Sequence, residues 1–352
     1  HHIDLGAAWL HFARENAFTG IADEHRLGVI RENPNWGPAA WVGARAPSPG
    51  EIAAASAHWQ RYEAAIADAA TRGRDVAVAE VVMQDSYRAR FDAVMTWAVG
   101  VESREVSTLD LHRYADSPDN WAVAGGLGSA VVAAARGLDV RHGVTVTAIH
   151  HHRSGVRLHT SQGTLEAGAA IVTVPVAVLA SGAIDFDPVL PSGLMQALAQ
   201  VPLGVANKVF FEIDAAQLPA TRTVQTVCTT ATSRTGNYML RPAGAPLVAA
   251  YFGGDLAREL EARGELEHFA REELRAIFGN LFGQALGKAI TTGCASDPLA
   301  QGAYSAARPG CADARMVLGE PAGPRLLFAG EAASIEHYGT LHGAWRSGEA
   351  AA

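Results

Sequence analysis

Lysine is almost missing from this sequence: among 28 basic residues only Lys208 and Lys288 are lysines, the rest being arginine. Cysteine is scarce as well. Cys228, Cys294 and Cys311 lie far apart and form no CxxC pair, which argues against a disulfide framework and against a zinc site. Basic residues are outnumbered by 36 acidic ones, for a net charge of -8, so the concentrated basic surface that nucleic acid calls for is not expected. No uninterrupted apolar run is long enough to suggest a membrane span. The most apolar stretch, GAAIVTVPVAVLASGAI over Gly168–Ile184, contains Pro175 and a β-branched cluster and reads as a buried strand, a turn and a short helix. There is no internal repeat and no low-complexity tract. An initiating methionine is also lacking: the numbering opens at His1-His2-Ile3-Asp4, histidines that are native or left from a tag. A cytoplasmic location is the expectation, with an upstream leader left open.

What is present is a chain of 352 residues, 49% hydrophobic, too long for one small core and suited to two interleaved domains. Residues 3–10 read as a strand and turn, Ala13–Leu27 as a helix, and Asn33–Gly50 as loop. Ser48-Pro49 starts a helix, because serine can cap and proline suits the first turn. From Glu51 to Gly100 the apolar spacing is mostly helical. A helix over Ser129–Arg136 precedes strands at Val144–Ile149, Gly155–His159 and Ala170–Val174. Further strands are predicted at Asn207–Ile213, Tyr238–Leu240 and Leu247–Phe252, then one amphipathic helix over Leu256–Phe278. Near the end a buried strand, Arg325–Phe328, runs into Ala329-Gly330-Glu331, and a helix over Gly343–Ala352 follows. Strand, glycine, acidic residue and helix N-terminus is how α/β proteins bring backbone amides to a phosphate-bearing ligand. Periodicity and composition alone stop there, at a two-domain α/β protein with a ligand site near its C-terminus.

Separated segments go further. IDLGAAWLH (Ile3–His11), WAVAGGLGSAV (Trp121–Val131), AAIVTVPVAVLASGAIDFDPVLP (Ala169–Pro191), VANKVFFEI (Val205–Ile213), DPLAQGAYSAARPG (Asp297–Gly310) and LLFAGEAASIEHYGTLHGAWRSGEAA (Leu326–Ala351) stand in the order of the flavin amine oxidase family. The chain resembles that family, which includes monoamine oxidases, polyamine oxidases and lysine-specific histone demethylases. The resemblance implies an α/β fold: a Rossmann-like (GR2-type) FAD-binding domain, incomplete at its N-terminus, interleaved with an α+β substrate domain. The former would take residues 1–34, 116–205 and 301–352, the latter 35–115 and 206–300. It also implies non-covalent FAD, an amine substrate and O2, with hydride leaving the carbon beside the amine and hydrogen peroxide formed on reoxidation. Side chains would orient and select; no nucleophile or metal is required.

Residue by residue, Lys208 resembles the family lysine that reaches flavin N5 through a water; its plain alternative is a snorkelling lysine at a strand end. Glu331, after Gly330, is similar to the glutamate beside the ribityl and pyrophosphate region, with a surface turn as the alternative. Thr340, Leu341 and His342 match the segment whose backbone passes the pyrimidine ring. Val146 resembles the residue whose main chain meets adenine, and Thr173 and Pro175 lie in the same nucleotide region. Tyr304 and Tyr338 correspond to the aromatic positions that flank the amine. His11 is the titratable candidate along the substrate channel, a structural histidine being the alternative.

Three departures accompany the resemblance. Ala303 stands where monoamine oxidases carry the cysteine bonded to flavin, so FAD should be non-covalent. Cys294 replaces a common tryptophan, which should widen or reshape the pocket. The opening strand–GxGxxG–helix is not found, and Gly125-Gly126-Leu127-Gly128 has the wrong spacing for it. A βαβ unit upstream of Ile3 is expected in the native protein, a truncated protein being the alternative. The rival functions are a related flavoenzyme and a FAD-free, non-enzymatic relative. The first would be a desaturase or an amino-acid oxidase, the latter with Arg241 or Arg308 on a substrate carboxylate. Histone demethylation is disfavoured by the lack of a long helical insertion.

Overall fold

The computed structural model describes residues 2–34, 40–42, 45, 47–218, 224–229 and 232–352. The expected loop Asn33–Gly50 lies partly outside the described residues, and within it Ala40–Val42 is a strand. The helix Pro49–Thr71 begins as the sequence proposes. Ser48 Oγ accepts from the Glu51 amide, and the Glu51 carboxylate in turn accepts from the Ser48 amide at 2.7 Å. This capping box satisfies two otherwise orphaned donors. The 23-residue helix packs with Arg88–Val99, burying Tyr62, Ile66, Phe91, Met95 and Val99 in one cluster.

The largest sheet runs in the order Ala289–Thr291, Ala206–Glu212, Leu247–Gly253, Asn237–Leu240, Val224–Thr229 and Ala40–Val42. Its pairs are antiparallel except the last, which is parallel. Strand side chains alternate between faces. Val209, Phe211, Val248, Ala250 and Phe252 therefore point one way, into a core closed by the helices Gly254–Arg263 and Leu266–Phe278. Lys208 and Tyr251, directly opposite each other in register, project from the other face.

Two expectations change here. The single helix over Leu256–Phe278 is broken at Gly264, whose φ of 68° forms a left-handed cap. Glycine accepts that geometry without the Cβ penalty, and the turn lets both helices lay apolar faces on the same sheet. Residues 3–10 form no strand; Leu10 pairs with Trp121 alone, through hydrogen bonds of 2.8 and 3.1 Å. Asp4 instead caps the helix Leu127–Ala134, accepting from the Leu127 amide at 2.8 Å and the Gly128 amide at 3.0 Å.

A four-stranded sheet follows the order Gly163–Ala167, Gly155–Thr160, Val146–His152, Asp185–Asp187. Beside it, Leu326–Phe328 pairs in parallel with Ala170–Val172 over a core containing Val172, Leu194, Leu198, Leu326 and Phe328. Mixed open sheets covered by helices agree with the expected α/β class at that level.

One buried cation ties these parts together. Arg315 is fully buried, and its guanidinium meets Asp110 through a two-point fork of 2.6 and 2.9 Å. Its other N–H groups donate to Ser305 Oγ at 2.7 Å, and to the Ser305 and Ala332 carbonyls at 3.2 Å each. All five guanidinium donors are thereby used, and the charge lies over the Tyr338 ring at 3.8 Å. Arg315→Met should cost about 3–5 kcal/mol, since it leaves Asp110 buried without its counter-charge. Urea denaturation checks this, and an unshifted midpoint would refute it.

Candidate functional site

A cavity of about 230 Å³ opens at the C-terminal ends of the parallel strands Ala170–Val172 and Leu326–Phe328. That is where α/β sheets place ligands, because strand ends and helix starts converge there. Thr173, Pro175, Gly330 and Glu331 all line it, with Ala303 and Ala344. Gly330 adopts φ 154° and ψ 172°, a conformation essentially reserved for glycine. No atom lies within 4 Å of where its Cβ would be, so its backbone is open to close approach by a ligand. Ser347 holds this turn, accepting from the Gly330 amide at 2.8 Å and donating to the Gly330 carbonyl at 2.9 Å.

Thr340 caps the helix Leu341–Ala351, accepting from the Gly343 amide at 3.0 Å and donating to the His337 carbonyl at 2.6 Å. The first two amides of the helix, from Leu341 and His342, have no acceptor among the described residues. Such amides are ready donors for an anionic or carbonyl-bearing ligand. The His342 imidazole is turned into the protein instead, its ring centre 5.4 Å from Phe12 and 4.8 Å from His337. Burial, with His337 close by, brings its pKa down to about 3, so it is neutral. These features fit a flavin dinucleotide: a glycine backbone with open space beside it, free helix-start amides and an apolar cavity wall.

Glu331 spends its carboxylate inside the protein. It accepts from the Ser305 amide at 3.0 Å, from Ser305 Oγ at 2.8 Å and from the Gly339 amide at 2.6 Å. The residue thus links the cavity wall to the chain segments that carry Tyr304 and Tyr338. Tyr338 itself is buried between Arg315 and Tyr114, its hydroxyl donating to the Asp110 carbonyl at 3.3 Å. Tyr304 is packed among glycines. A Cβ on Gly100 would meet its ring at 3.2 Å, and one on Gly339 would meet its Cβ at 3.6 Å.

Lys208 extends from its strand to the Ile3–His11 segment, where Nζ donates to the Asp4 carbonyl at 2.9 Å and to the Gly6 carbonyl at 2.5 Å. The Phe210 and Tyr251 rings lie 6.0 and 5.9 Å away. Although part of the side chain remains accessible, its dense surroundings strip water from the ammonium and lower its pKa to about 8. His11 donates from Nδ1 to Asn120 Oδ1 at 2.5 Å, and burial pushes its pKa down. Cys294 donates from Sγ to the Ala206 carbonyl at 2.5 Å, and burial raises its thiol pKa.

Thr173, Pro175, Gly330 and Glu331 therefore meet at one cavity, and Lys208 reaches the loop preceding His11. Val146 stands apart from the cavity lining, at a register shift in its strand opposite Thr160. Arg308 is exposed, and Arg241 donates to the Ala215 carbonyl. Sequence reasoning missed Tyr251, which the sheet register sets across from Lys208, and Trp97, whose carbonyl accepts from the Tyr304 hydroxyl. Strand alternation gave Tyr251 its parity, but only the pairing register reveals its neighbour.

The flavin containing amine oxidoreductase family profile matches residues 1–352. The chain belongs to that family. It is 33% identical over 233 residues to polyamine oxidase 4 of Oryza sativa subsp. japonica, covering 63% of this chain and 46% of that protein. To lysine-specific histone demethylase 1 homolog 2 of Arabidopsis thaliana it is 30% identical over 241 residues, covering 65% and 32% respectively. Polyamine oxidase 2 of Arabidopsis thaliana is 31% identical over 227 residues, with 62% and 45% covered. The matched region thus spans less than half the length of each of these relatives.

Because only two lysines exist, the low Lys208 pKa can be read directly. In protein labelled at lysine Cε, one of two NMR signals should titrate near pH 8 and vanish in Lys208→Met. The folded pKa lies below the ordinary 10.5, so the folded state sheds this proton first. Stability relative to Lys208→Met should then rise as pH climbs from about 8 to 10.5. Two signals titrating together would contradict the assignment.

Proposed function

We propose that this chain forms the substrate side and part of the nucleotide side of an FAD-dependent oxidase acting on a primary or secondary amine, polyamines included. The observation that carries this reading is the union of two sets of residues. Lys208 is held against the Asp4–Gly6 turn, and Glu331 fastens the Tyr304 segment to the wall of the cavity at the parallel strand ends. Membership of the flavin containing amine oxidoreductase family supports the same reaction type.

Thr173, Pro175, Gly330 and Glu331 would hold the cofactor's central part, and the Leu341 and His342 amides would donate to its ring. Val146 would meet its adenine end through the main chain. With Ala303 in place of a thiol, the attachment is non-covalent. Bound FAD supplies two-electron oxidation of the amine to an imine, with O2 reduced to hydrogen peroxide. Lys208 keeps a positive charge at Nζ below about pH 8 and becomes a neutral donor or acceptor above it. A cation fixed in a poorly solvated site favours negative charge developing nearby. The Tyr304 ring would offer an apolar, π-rich wall to the amine, and His11, whose charged form burial disfavours, follows the turn that Lys208 reaches.

The test is anaerobic mixing of FAD-loaded protein with monoamines, diamines, polyamines and N-acetylated polyamines while the flavin band is followed. At least one amine should bleach the band, and Lys208→Met should slow the flavin half-reactions about 10²-fold. Bound flavin that no amine reduces would overturn the substrate class. Protein that retains no flavin would favour the FAD-free alternative.

A further inference from the structure

The Tyr304 hydroxyl donates to the Trp97 carbonyl, and its oxygen also lies 2.8 Å from the Tyr251 hydroxyl. A phenol has one proton, and a carbonyl only accepts. The Tyr304 proton is therefore committed to Trp97, and the second bond must be donated by Tyr251. The chain runs in one direction, Tyr251 to Tyr304 to Trp97. Its far end is fixed: Trp97 is buried, and its indole N–H donates to the Thr235 carbonyl at 3.2 Å. Its near end is fixed too, since Tyr251 sits in mid-strand opposite Lys208. Burial keeps both phenols protonated, raising Tyr251 to about 12 and Tyr304 well above its ordinary value.

We infer that Tyr251 is a positioning residue for amine oxidation, acting through Tyr304: it saturates the Tyr304 hydroxyl and fixes the tilt of that ring, so that the ring, and not the hydroxyl, faces the substrate. This rests on the amine-oxidation reading. Gly100 and Gly339 lie against the ring and Cβ of Tyr304 and offer its hydroxyl no side-chain partner, so the hydroxyl end of the ring is held by the two hydrogen bonds. Losing one should let the ring rock and the substrate leave its reactive alignment, a loss in rate more than in affinity.

Tyr251→Phe removes the donor and keeps the ring. In anaerobic reduction of the FAD-loaded protein by its best amine, the limiting rate should fall about tenfold while the apparent Kd moves about twofold or less. In a Tyr304→Phe background the same substitution should have no further effect, because the group it acts on is gone. The flavin-free protein, labelled at tyrosine Cε, gives a readout independent of turnover. The Tyr304 signal, assigned by its absence from Tyr304→Phe, should shift in Tyr251→Phe with faster ring flipping, while the Lys208 titration stays put. An unchanged rate, an equal loss in both backgrounds or an unmoved Tyr304 signal would overturn the proposal. Wild-type flavin that no amine reduces would overturn the underlying reading, whatever the Tyr304 signal does.

Discussion

The buried guanidinium of Arg315 is the constraint on which the site depends. Removing that charge from water is costly and is offset only when all its donors are matched in good geometry. Asp110 comes from the helix Thr108–Arg113, Ser305 from the segment carrying Tyr304, and Ala332 from the turn after Gly330. One cation thus draws three distant parts of the chain to a point. Ser305 hands the arrangement on to Glu331, which hands it to Gly339. The cavity wall, the two tyrosine segments and the helical block are fixed relative to one another by polar contacts with strict direction. An apolar core, which tolerates sliding and repacking, would specify those positions less sharply.

Around that frame burial disfavours the charged form of the side chains with chemistry to offer, although Lys208 still carries its charge below about pH 8. Desolvation pulls Lys208, His11 and His342 down and pushes Tyr251 and Tyr304 up. In each case the poorly solvated surroundings disfavour the charged form. Lys208, at about 8, ends within reach of neutral pH, so modest changes in its surroundings can alter its protonation. The tyrosines serve as shape and polarity, and their protons are bound up in hydrogen bonds.

Local elements were largely legible. Ser48 and Pro49 announce a helix by chemistry confined to one turn, and the short apolar runs within Ala206–Glu212 and Leu247–Gly253 announce strands. The family resemblance pointed to Thr173, Pro175, Gly330 and Glu331, which the fold gathers at one cavity. Gly264 was misread because one glycine inside an apolar helical pattern carries no periodic signal, whereas its left-handed φ ends the helix outright. The Ile3–Leu10 segment was misread because its apolar residues suit a strand, while its backbone and Asp4 are claimed by Lys208 and by the start of another helix.

The sequence by itself determined most of the elements, because those rest on propensity, periodicity and local capping, and its ordered motifs pointed to the family. Tertiary structure decided the partners. Register set Tyr251 across from Lys208, closure of the fold carried the Glu331 carboxylate to Ser305 and Gly339, and burial decided which groups hold a charge. Such contacts join residues tens to hundreds of positions apart. Their energies depend on direction and desolvation, which a linear pattern does not encode.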